Sequence, residues 1–480
     1  MSEIKSSLRA ALEGGLYERV LQAGQEHIFR WWPDLTDKER AALANQITHI
    51  DFDLQEGVVG KLLSAPKEDF SRLVPAQSTT LREAALLTAK TRGEQAIQNG
   101  EVCSLVLAGG QGTRLGYSFP KGMYPIGPVS GKSLFEWFAE SIRFISQRFG
   151  APNQIPWLIM TSEATDSDTR NFFQKKNYFG LRQERVYFFK QGMIPAIDFQ
   201  GKLLMDTKYH ICENPDGHGG VIKALGKSGL LDKLTQQGVQ HIFLHNVDNC
   251  LAKICDPVFL GHHIAADADF SFKSLSKRSA DETLGTIAYT GGKIKIIEYS
   301  DTPTEIASLK DEQGQLVYRN GSINTYLIRV SFMKQLFEQD RPLPFHYAWK
   351  KIPALDPSGN FYEPQEPNGI KLEKKIFDAL QYTDKVTMVT ANRTEEFSPL
   401  KNDEGSESYP SVIHDLQARF FAWLEHADFQ LPAGKVERIE ISPLFAIDAD
   451  TFQEKVDIVG KIKFAKMIER QIEEEGWINL

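Results

Sequence analysis

The chain has 480 residues, of which 41% are hydrophobic, 25% are charged and 11% are aromatic. This composition is typical of a globular chain with roughly two to four domains, and it excludes disordered, coiled-coil and collagen-like proteins. Lys and Arg number 55 and Asp and Glu number 63, giving a net charge of −8 that argues against nucleic acid or an anionic membrane as a partner.

The cysteines and the N-terminus indicate a cellular compartment. Cys103, Cys212, Cys250 and Cys255 form neither a CxxC motif nor another metal-binding spacing, so we expect buried, reduced thiols. The first residues contain no apolar signal-peptide core. No stretch approaches the roughly 18 apolar residues that cross a bilayer. We therefore expect a cytoplasmic protein that contacts no membrane.

Residues 1–97 are predicted to form a helical N-terminal domain. Apolar residues recur every four positions from Leu8 to Val20, as on one face of a helix. Thr36 and Glu39 have the spacing of a helix-capping box. No residue pattern in this region indicates chemistry.

Residues 98–395 alternate short apolar segments with helical patterns. The segments at 102–107, 157–160, 186–189 and 241–244 are predicted strands. Gly291 and Gly292 lie between two further apolar segments, which predicts a β-hairpin. This alternation predicts an α/β fold with a mixed, mostly parallel sheet and flanking helices. Residues 396–480 are predicted to form a small C-terminal domain.

The strongest local signal is LVLAGGQGTRLG at residues 105–116, in which an apolar segment leads into a glycine-rich loop. Gly109, Gly110 and Gly112 allow the backbone to approach a ligand closely, so that N–H groups can converge on phosphate oxygens. Arg114 adds a cation with a fork geometry suited to phosphate. Lys121 follows, held in a turn between a proline and a glycine. We predict a phosphate-binding loop.

Two common nucleotide-binding motifs do not fit. The GxGxxG fingerprint fails because Leu115 occupies its third glycine position. The GxxxxGK[ST] motif fails because only three residues separate Gly127 from Gly131. Lys132 and Ser133, which follow, are expected to be structural, since Ser133 has the spacing of a helix cap.

These residues also carry a family resemblance. LAGGQGTRLG at 107–116, followed by PKGM at 120–123, resembles the UDP-sugar pyrophosphorylases, and within them the UDP-N-acetylglucosamine branch. Further blocks follow in the same order: FFKQGM at 188–193, PDGHGG at 215–220, VDN at 247–249, IEY at 297–299, PNGIKLE at 367–373 and EFSPLKN at 396–402. The resemblance covers roughly residues 100–405, and the ordered set is far more specific than a single glycine loop.

The resemblance implies a nucleotidyltransferase with a Rossmann-like sheet, which makes a UDP-sugar and pyrophosphate from UTP and a sugar 1-phosphate with Mg²⁺ as cofactor. It implies Arg114, Lys121 and Lys401 as phosphate contacts and Asp248 as the metal ligand. The implied nucleotide contacts are Gly109, Gly110, Gly112, Gln191, His218 and Gly220. The implied sugar contacts are Glu298, Gly321, Asn324 and Phe377.

The chemistry of such a reaction agrees with these residue types. Attack by a sugar-phosphate oxygen on the α-phosphorus of UTP brings two polyanions together, so the protein must neutralise charge and hold an in-line geometry. Asp248 follows the predicted strand at 241–244, which places it at the edge of the sheet where ligands bind in α/β folds. A carboxylate is a suitable Mg²⁺ ligand. No general base is needed, because the nucleophile is already ionised.

Because the sequence departs from the family pattern at several positions, it does not determine which sugar 1-phosphate is the substrate. His218 stands where the N-acetylglucosamine enzymes usually carry Asn, and the glucose branch tends to have His in its related turn. The family's Gly-Asn pair appears as Gly321 and Ser322, with Asn324 nearby. N-acetylglucosamine 1-phosphate is our first hypothesis, and glucose 1-phosphate or several sugars are the alternatives. A non-catalytic sugar-nucleotide sensor is more remote. No pattern specifies an oligomeric state.

Overall fold

The computed structural model describes residues 8–9, 12, 15–50, 52, 70–76, 83–151, 153–429, 431, 436 and 438–480. The chain divides into two units. The larger unit comprises Arg72–Lys190, Val221–Arg341 and Ala379–Leu480, and the smaller unit comprises Met1–Ser71, Gln191–Gly220 and Pro342–Asp378. The division into three domains at residues 97/98 and 395/396 follows other boundaries and stays a prediction.

Among the described residues, ten strands form the central sheet of the larger unit. In chain order they are β1 (Val74–Pro75), β2 (Val102–Leu107), β3 (Trp157–Thr161), β4 (Val186–Lys190), β5 (His241–Asn246), β6 (Phe270–Ser276), β7 (Gly285–Thr290), β8 (Lys293–Ile297), β9 (Asn320–Arg329) and β10 (Val386–Thr390). Their order is β1-β7-β9-β5-β2-β3-β4, with β8 paired to β7 and β6 paired to both β9 and β10.

The sheet is mixed and mostly parallel, as predicted, in that seven of the ten described strands run in the same direction. Strands β2, β3, β4 and β5 pair in parallel, and so do β6 and β10. Strand β9 runs antiparallel to β5, β6 and β7, while β1 and β8 run antiparallel to β7. Strands β2 and β3 are buried throughout, which explains their continuous apolar sequences. The predicted fold class is therefore confirmed.

Helices flank this sheet. The α-helices of the larger unit are Glu83–Gln98, Leu134–Arg148, Asp166–Lys175, Val221–Lys227, Leu230–Gln236, Pro257–Ala265, Thr304–Ala307, Val330–Glu338, Arg393–Glu396, Tyr409–His426, Ala449–Val459 and Lys461–Glu475. Its short 3₁₀ helices are Thr113–Leu115, Lys121–Met123, Asn177–Gly180 and Gln183–Arg185. None of the described helices combines the length and the apolar character that a bilayer-crossing helix needs.

The predicted hairpin is formed by β7 and β8. Thr290 pairs with Lys293, so Gly291 and Gly292 make a two-residue turn. Their φ angles are 56° and 81°. Two consecutive positive φ angles define the type I′ turn that matches the twist of a hairpin, and glycine adopts them without strain.

The C-terminal helices pack on the same core as the sheet. Trp137, on helix Leu134–Arg148, contacts Phe420 of helix Tyr409–His426 at a ring-centroid distance of 6.2 Å. A parallel pair of short strands, Arg438–Glu440 and Trp477–Asn479, completes this region. These segments therefore belong to the larger unit.

The smaller unit joins N-terminal helices to short strand pairs. Its α-helices are Leu16–Gln22 and Asp37–His49, and its 3₁₀ helices are Glu26–Phe29, Trp32–Asp34 and His218–Gly220. Its antiparallel pairs are Met193–Pro195 with Glu213–Pro215, Met205–Thr207 with His210–Ile211, Phe345–Lys350 with Gly369–Lys374, and Ala354–Leu355 with Phe361–Tyr362.

The predicted apolar face at the N-terminus is buried in the core of the smaller unit. Leu16 and Val20 belong to one buried cluster with Ile211 and Ile370. Thr36 accepts a hydrogen bond from the backbone N–H of the third residue of helix Asp37–His49, and the capping box predicted from the sequence is present. These helices thus pack on strands from later in the chain.

All four cysteines are buried and unpaired, as expected. Burial raises the pKa of Cys212 and of Cys250 to about 12. Both thiols therefore remain protonated at neutral pH.

Candidate active site

The glycine loop follows β2 and lies against the turn that carries Lys121. The carbonyl of Gly110 accepts a hydrogen bond of 3.2 Å from the backbone N–H of Lys121. The N–H of Gly112 donates to the carbonyl of Phe119 at 3.1 Å. Two parts of the chain that the sequence analysis selected separately are thus held together by their backbones.

Two glycines of the loop have different environments. A Cβ atom added to Gly112 would lie 2.8 Å from the Cβ of Tyr117, so the packing of the loop itself requires glycine there. A Cβ atom added to Gly110 would meet nothing within 4 Å. Internal packing therefore does not explain Gly110, whereas close approach of a ligand would.

Lys121 begins a short 3₁₀ turn, Lys121–Met123. Gly122 lets this turn pack closely on Phe135, because a Cβ atom at Gly122 would lie 2.2 Å from the ring of Phe135. The Lys121 ammonium lies 4.0 Å from a carboxylate oxygen of Asp248, and the two side chains are 16% and 14% exposed. The structure thus brings together the predicted phosphate-binding lysine and the predicted metal ligand.

Asp248 occupies the predicted position at the end of a strand. Strand β5 ends at Asn246, and the N–H of Val247 donates to the carbonyl of Leu107 at the end of β2. The turn at Asp248 therefore begins beside the start of the glycine loop. This is the carboxyl edge of the parallel strands, where α/β proteins bind ligands.

Lys401 is held near the turn at Asp248 by a hydrogen bond of the preceding residue, Leu400. The N–H of Leu400 donates to the carbonyl of Asp248 at 2.9 Å. The Lys401 ammonium lies 3.2 Å from a carboxylate oxygen of Glu407, and the Lys401 N–H donates to the Glu407 carbonyl. The sequence analysis missed Glu407, because no motif marks this partner.

Arg114 is exposed and lies in the turn Thr113–Leu115, whose last residue is buried. Its guanidinium makes no hydrogen bond or ion pair with any residue that the structure describes. An arginine with no partner in the described part of the chain, on a loop of this kind, is available to bind an anion.

Three of the predicted sugar contacts lie in the larger unit. Thr286 of β7 pairs with Ile297 on one side and with Gly321 on the other. Glu298 directly follows Ile297. Glu298 and Gly321 therefore lie on opposite sides of β7. Asn324 has a φ of 54° and lies in an irregular part of β9. Its side-chain oxygen accepts a hydrogen bond from the Tyr326 hydroxyl at 2.7 Å.

The other predicted nucleotide contacts lie in the smaller unit. Gln191 is the first residue of its second segment, and Gly220 is the last. The Asp216 carboxylate fits between Gly192 and Gly220: Cβ atoms added to these glycines would lie 2.5 Å and 2.1 Å from its oxygens. The two glycine turns are thus packed around the carboxylate of Asp216, which lies within the PDGHGG block but to which the sequence analysis gave no role.

His218 and Phe377 form an aromatic cluster in the smaller unit. Burial, together with the charge of Lys375, lowers the pKa of His218 to about 3, so the ring is neutral. Its Nδ1 accepts a hydrogen bond of 3.0 Å from the N–H of Ile376, which leaves the proton on Nε2. Phe377 is 2% exposed and lies 5.7 Å from the His218 ring and 6.1 Å from the His346 ring.

The backbone N–H groups of the loop before Lys132 bind a carboxylate of the protein itself, that of Glu440. One carboxylate oxygen of Glu440 accepts hydrogen bonds from the N–H groups of Val129 and Ser130, at 2.9 Å and 2.8 Å. Lys132 pairs with Glu140 at 3.0 Å. Ser133 caps the helix Leu134–Arg148, as expected. Lys132 and Ser133 therefore serve the fold.

Comparisons with known proteins identify the family. The model of the family described as UTP--glucose-1-phosphate uridylyltransferase matches residues 63–462. The chain is 38% identical over 409 residues to UDP-N-acetylglucosamine pyrophosphorylase of Saccharomyces cerevisiae, covering 81% of this chain and 86% of the yeast protein. It is 35% identical over 476 residues to human UDP-N-acetylhexosamine pyrophosphorylase-like protein 1, covering 92% and 94% of the two chains.

A solved structure gives the same result. The uridine diphosphate N-acetylglucosamine pyrophosphorylase from Trypanosoma brucei, in complex with inhibitor, superposes with a TM-score of 0.81 at 27% identity, covering 97% of both chains. The chain therefore belongs to the UTP--glucose-1-phosphate uridylyltransferase family, the UDP-sugar pyrophosphorylases that its ordered motifs predicted.

Proposed function

We propose that this protein is a uridylyltransferase that makes UDP-N-acetylglucosamine and pyrophosphate from UTP and N-acetylglucosamine 1-phosphate. The observation that carries the proposal is the 4.0 Å approach of Lys121 to Asp248 at the mouth of the glycine loop. This arrangement offers a cation, a carboxylate and backbone N–H groups at one edge of the sheet. The names of the yeast and trypanosomal relatives support N-acetylglucosamine as the sugar.

The proposed reaction forms no covalent bond between the protein and a substrate. A phosphate oxygen of the sugar 1-phosphate attacks the α-phosphorus of UTP, a new P–O bond forms, and the bond to the pyrophosphate oxygen breaks. Both reactants carry negative charge, so Arg114 and Lys121 would lower the repulsion between them. Lys401 would also lower this repulsion, once its ammonium leaves the carboxylate of Glu407 and binds a phosphate instead. The side chains would act by charge and position, with no proton transfer.

We propose Mg²⁺ as the cofactor, with Asp248 as its ligand. No group of three or more His, Cys, Asp and Glu side chains suited to a metal occurs among the described residues. A single carboxylate fits Mg²⁺, which is commonly held by one or two carboxylates together with waters and substrate phosphates. When bound, the ion supplies positive charge to phosphate oxygens. Lys121, beside Asp248, would hold a neighbouring oxygen of the same ligand.

The remaining contacts are those that the family resemblance implies. Gly109, Gly110 and Gly112 would hold the nucleotide phosphates, and Gln191, His218 and Gly220 would contact the uridine. Glu298, Gly321, Asn324 and Phe377 would contact the sugar. The β7 register supports the pair Glu298 and Gly321, because both flank Thr286.

We place the protein in the cytoplasm, with no nucleic acid or membrane as a partner. The four buried, unpaired thiols fit a reducing compartment. The net charge of −8 opposes binding to polyanionic surfaces.

The experiment is a pyrophosphate-release assay with UTP, ATP or GTP, each paired with glucose, galactose, N-acetylglucosamine or N-acetylgalactosamine 1-phosphate. The proposal predicts release with UTP and N-acetylglucosamine 1-phosphate at the highest kcat/KM. A higher kcat/KM with glucose 1-phosphate would establish the alternative of a glucose-1-phosphate uridylyltransferase. UTP binding without release from any pair would indicate a sensor. Equal use of a purine triphosphate would contradict the uridine contacts.

A further inference from the structure

A lysine is buried in the central sheet, whose carboxyl edge carries the candidate site. Lys273, on β6, is 2% exposed. Its ammonium contacts Asp256 at 2.6 Å and also contacts the carboxylate of Glu396. Asp256 additionally caps the helix Pro257–Ala265. We call Asp256, Lys273 and Glu396 the buried ion triad.

The triad is joined to the candidate site through Asn249. The side-chain amide of Asn249 donates to the carbonyl of Glu396 at 2.8 Å, and its oxygen accepts from the N–H of Ser398 at 3.0 Å. Asn249 is 2% exposed. One buried side chain therefore binds the backbone on both sides of residue 397.

The same segment carries the predicted phosphate contact. Two residues after Ser398, the N–H of Leu400 donates to the carbonyl of Asp248, and Lys401 follows directly. Ion pairs, hydrogen bonds and the short stretches of chain between them thus connect the Lys273 ammonium to Asp248 and Lys401. Both ends of this path lie within the larger unit.

Stability alone does not explain the triad. A buried ion cluster gains little over well-packed apolar side chains, because removing the charges from water offsets most of their attraction. Its bonds are directional, however, so they specify where the 396–401 segment lies. Catalysis by positioned charges is sensitive to displacements of about 1 Å.

We propose that Lys273 is a positioning residue, which acts through Glu396 and Asn249 to hold Lys401 at a fixed place beside Asp248. The inference rests on the proposed function, because it takes Asp248 and Lys401 as parts of one phosphate site. Lys273 itself touches no substrate.

The first test is a double-mutant cycle on pyrophosphate release. Lys273→Met lowers kcat about 10- to 100-fold in the wild-type chain, in keeping with the effect of a small displacement. In a Lys401→Ala chain the same substitution lowers kcat less than about twofold, since the residue to be positioned is gone. Equal losses in both backgrounds would overturn the inference.

A matched control is Lys132→Met, which removes another poorly exposed lysine of the larger unit that pairs with two carboxylates, those of Glu140 and Glu440. It lowers the melting temperature but leaves kcat within about twofold. A loss of kcat as large as that of Lys273→Met would mean that any loss of a poorly exposed ion pair in the larger unit lowers kcat. That result would overturn the inference.

The second test does not depend on activity. Hydrogen exchange measured by mass spectrometry in the ligand-free protein shows faster exchange of the 396–402 segment in Lys273→Met than in Lys132→Met. If Lys273→Met does not fold, Glu396→Gln takes its place, because it leaves the pair of Lys273 and Asp256 intact. Unchanged exchange in the folded variant would overturn the positioning role. A wild-type chain without pyrophosphate release would overturn only the proposed function.

Discussion

The ammonium of Lys121 lies 4.0 Å from the carboxylate of Asp248, although the two residues follow different strands of the sheet. They meet because β2 and β5 are parallel neighbours, with Leu107 paired to Asn246 at their carboxyl ends. A ligand bound there would meet both side chains and the glycine loop together.

Lys121→Ala and Asp248→Ala are each expected to lower kcat by about 10²–10³-fold, the usual effect of removing one group that stabilises charge in a transition state. Pyrophosphate release measures the loss. Circular dichroism and the melting temperature serve as controls and should remain close to those of the wild type. Release at the wild-type rate from a folded variant would refute the role of that residue.

Gly110→Ala and Gly112→Ala form a matched pair within one loop. Gly110→Ala should fold normally, since its new methyl group meets no protein atom within 4 Å, yet weaken UTP binding at least tenfold. Gly112→Ala should destabilise the protein by about 1–3 kcal/mol, because its methyl group would overlap Tyr117. Urea unfolding and UTP titration separate the two effects. Normal UTP affinity in Gly110→Ala would mean that no ligand approaches there.

Stability is expected to fall as the pH drops below about 6.5. Burial lowers the pKa of His245 to about 4, so the folded state binds the proton only well below the pH at which the unfolded chain does. Between these values the unfolded state holds more protons, which favours unfolding. His263 and His241 also have lowered pKa values, about 2 and about 4, caused mainly by burial.

Urea unfolding at pH 7.5, 6 and 5 measures this dependence. Replacing His245 by Asn should reduce the pH slope of the unfolding free energy near pH 5 by about 1.4 kcal/mol per pH unit, which corresponds to one proton. An unchanged slope in His245→Asn would show that this ring is protonated in the folded protein.

Much of the larger unit was predictable because its signals are local. The apolar segment at 102–107, the two glycines of the hairpin and the capping serine each determine structure within a few residues. Asp248 could be placed at the sheet edge because a strand before it fixes that position. The ordered motifs added the family, which the comparisons confirm.

The smaller unit was not predictable in the same way. It is assembled from three separate segments, and most of its strands have only two or three residues, too few for an alternating pattern to be recognised. The partners that hold the site were not marked by their local sequence: Glu407 and Lys273 lie outside the quoted motifs, and Asp216 lies within PDGHGG without any sign of its role there. Their contacts arise from tertiary packing, which leaves no local sequence signal.

The most direct measurement is a phosphorus-31 NMR spectrum of the wild-type protein incubated with UTP, N-acetylglucosamine 1-phosphate and Mg²⁺. The account predicts that the two resonances of a UDP-sugar and the resonance of pyrophosphate grow in equal amounts as those of both substrates fall. Asp248→Ala should leave the spectrum unchanged over the same time. A wild-type spectrum that does not change, or one that gains only inorganic phosphate, would contradict uridylyl transfer at this site.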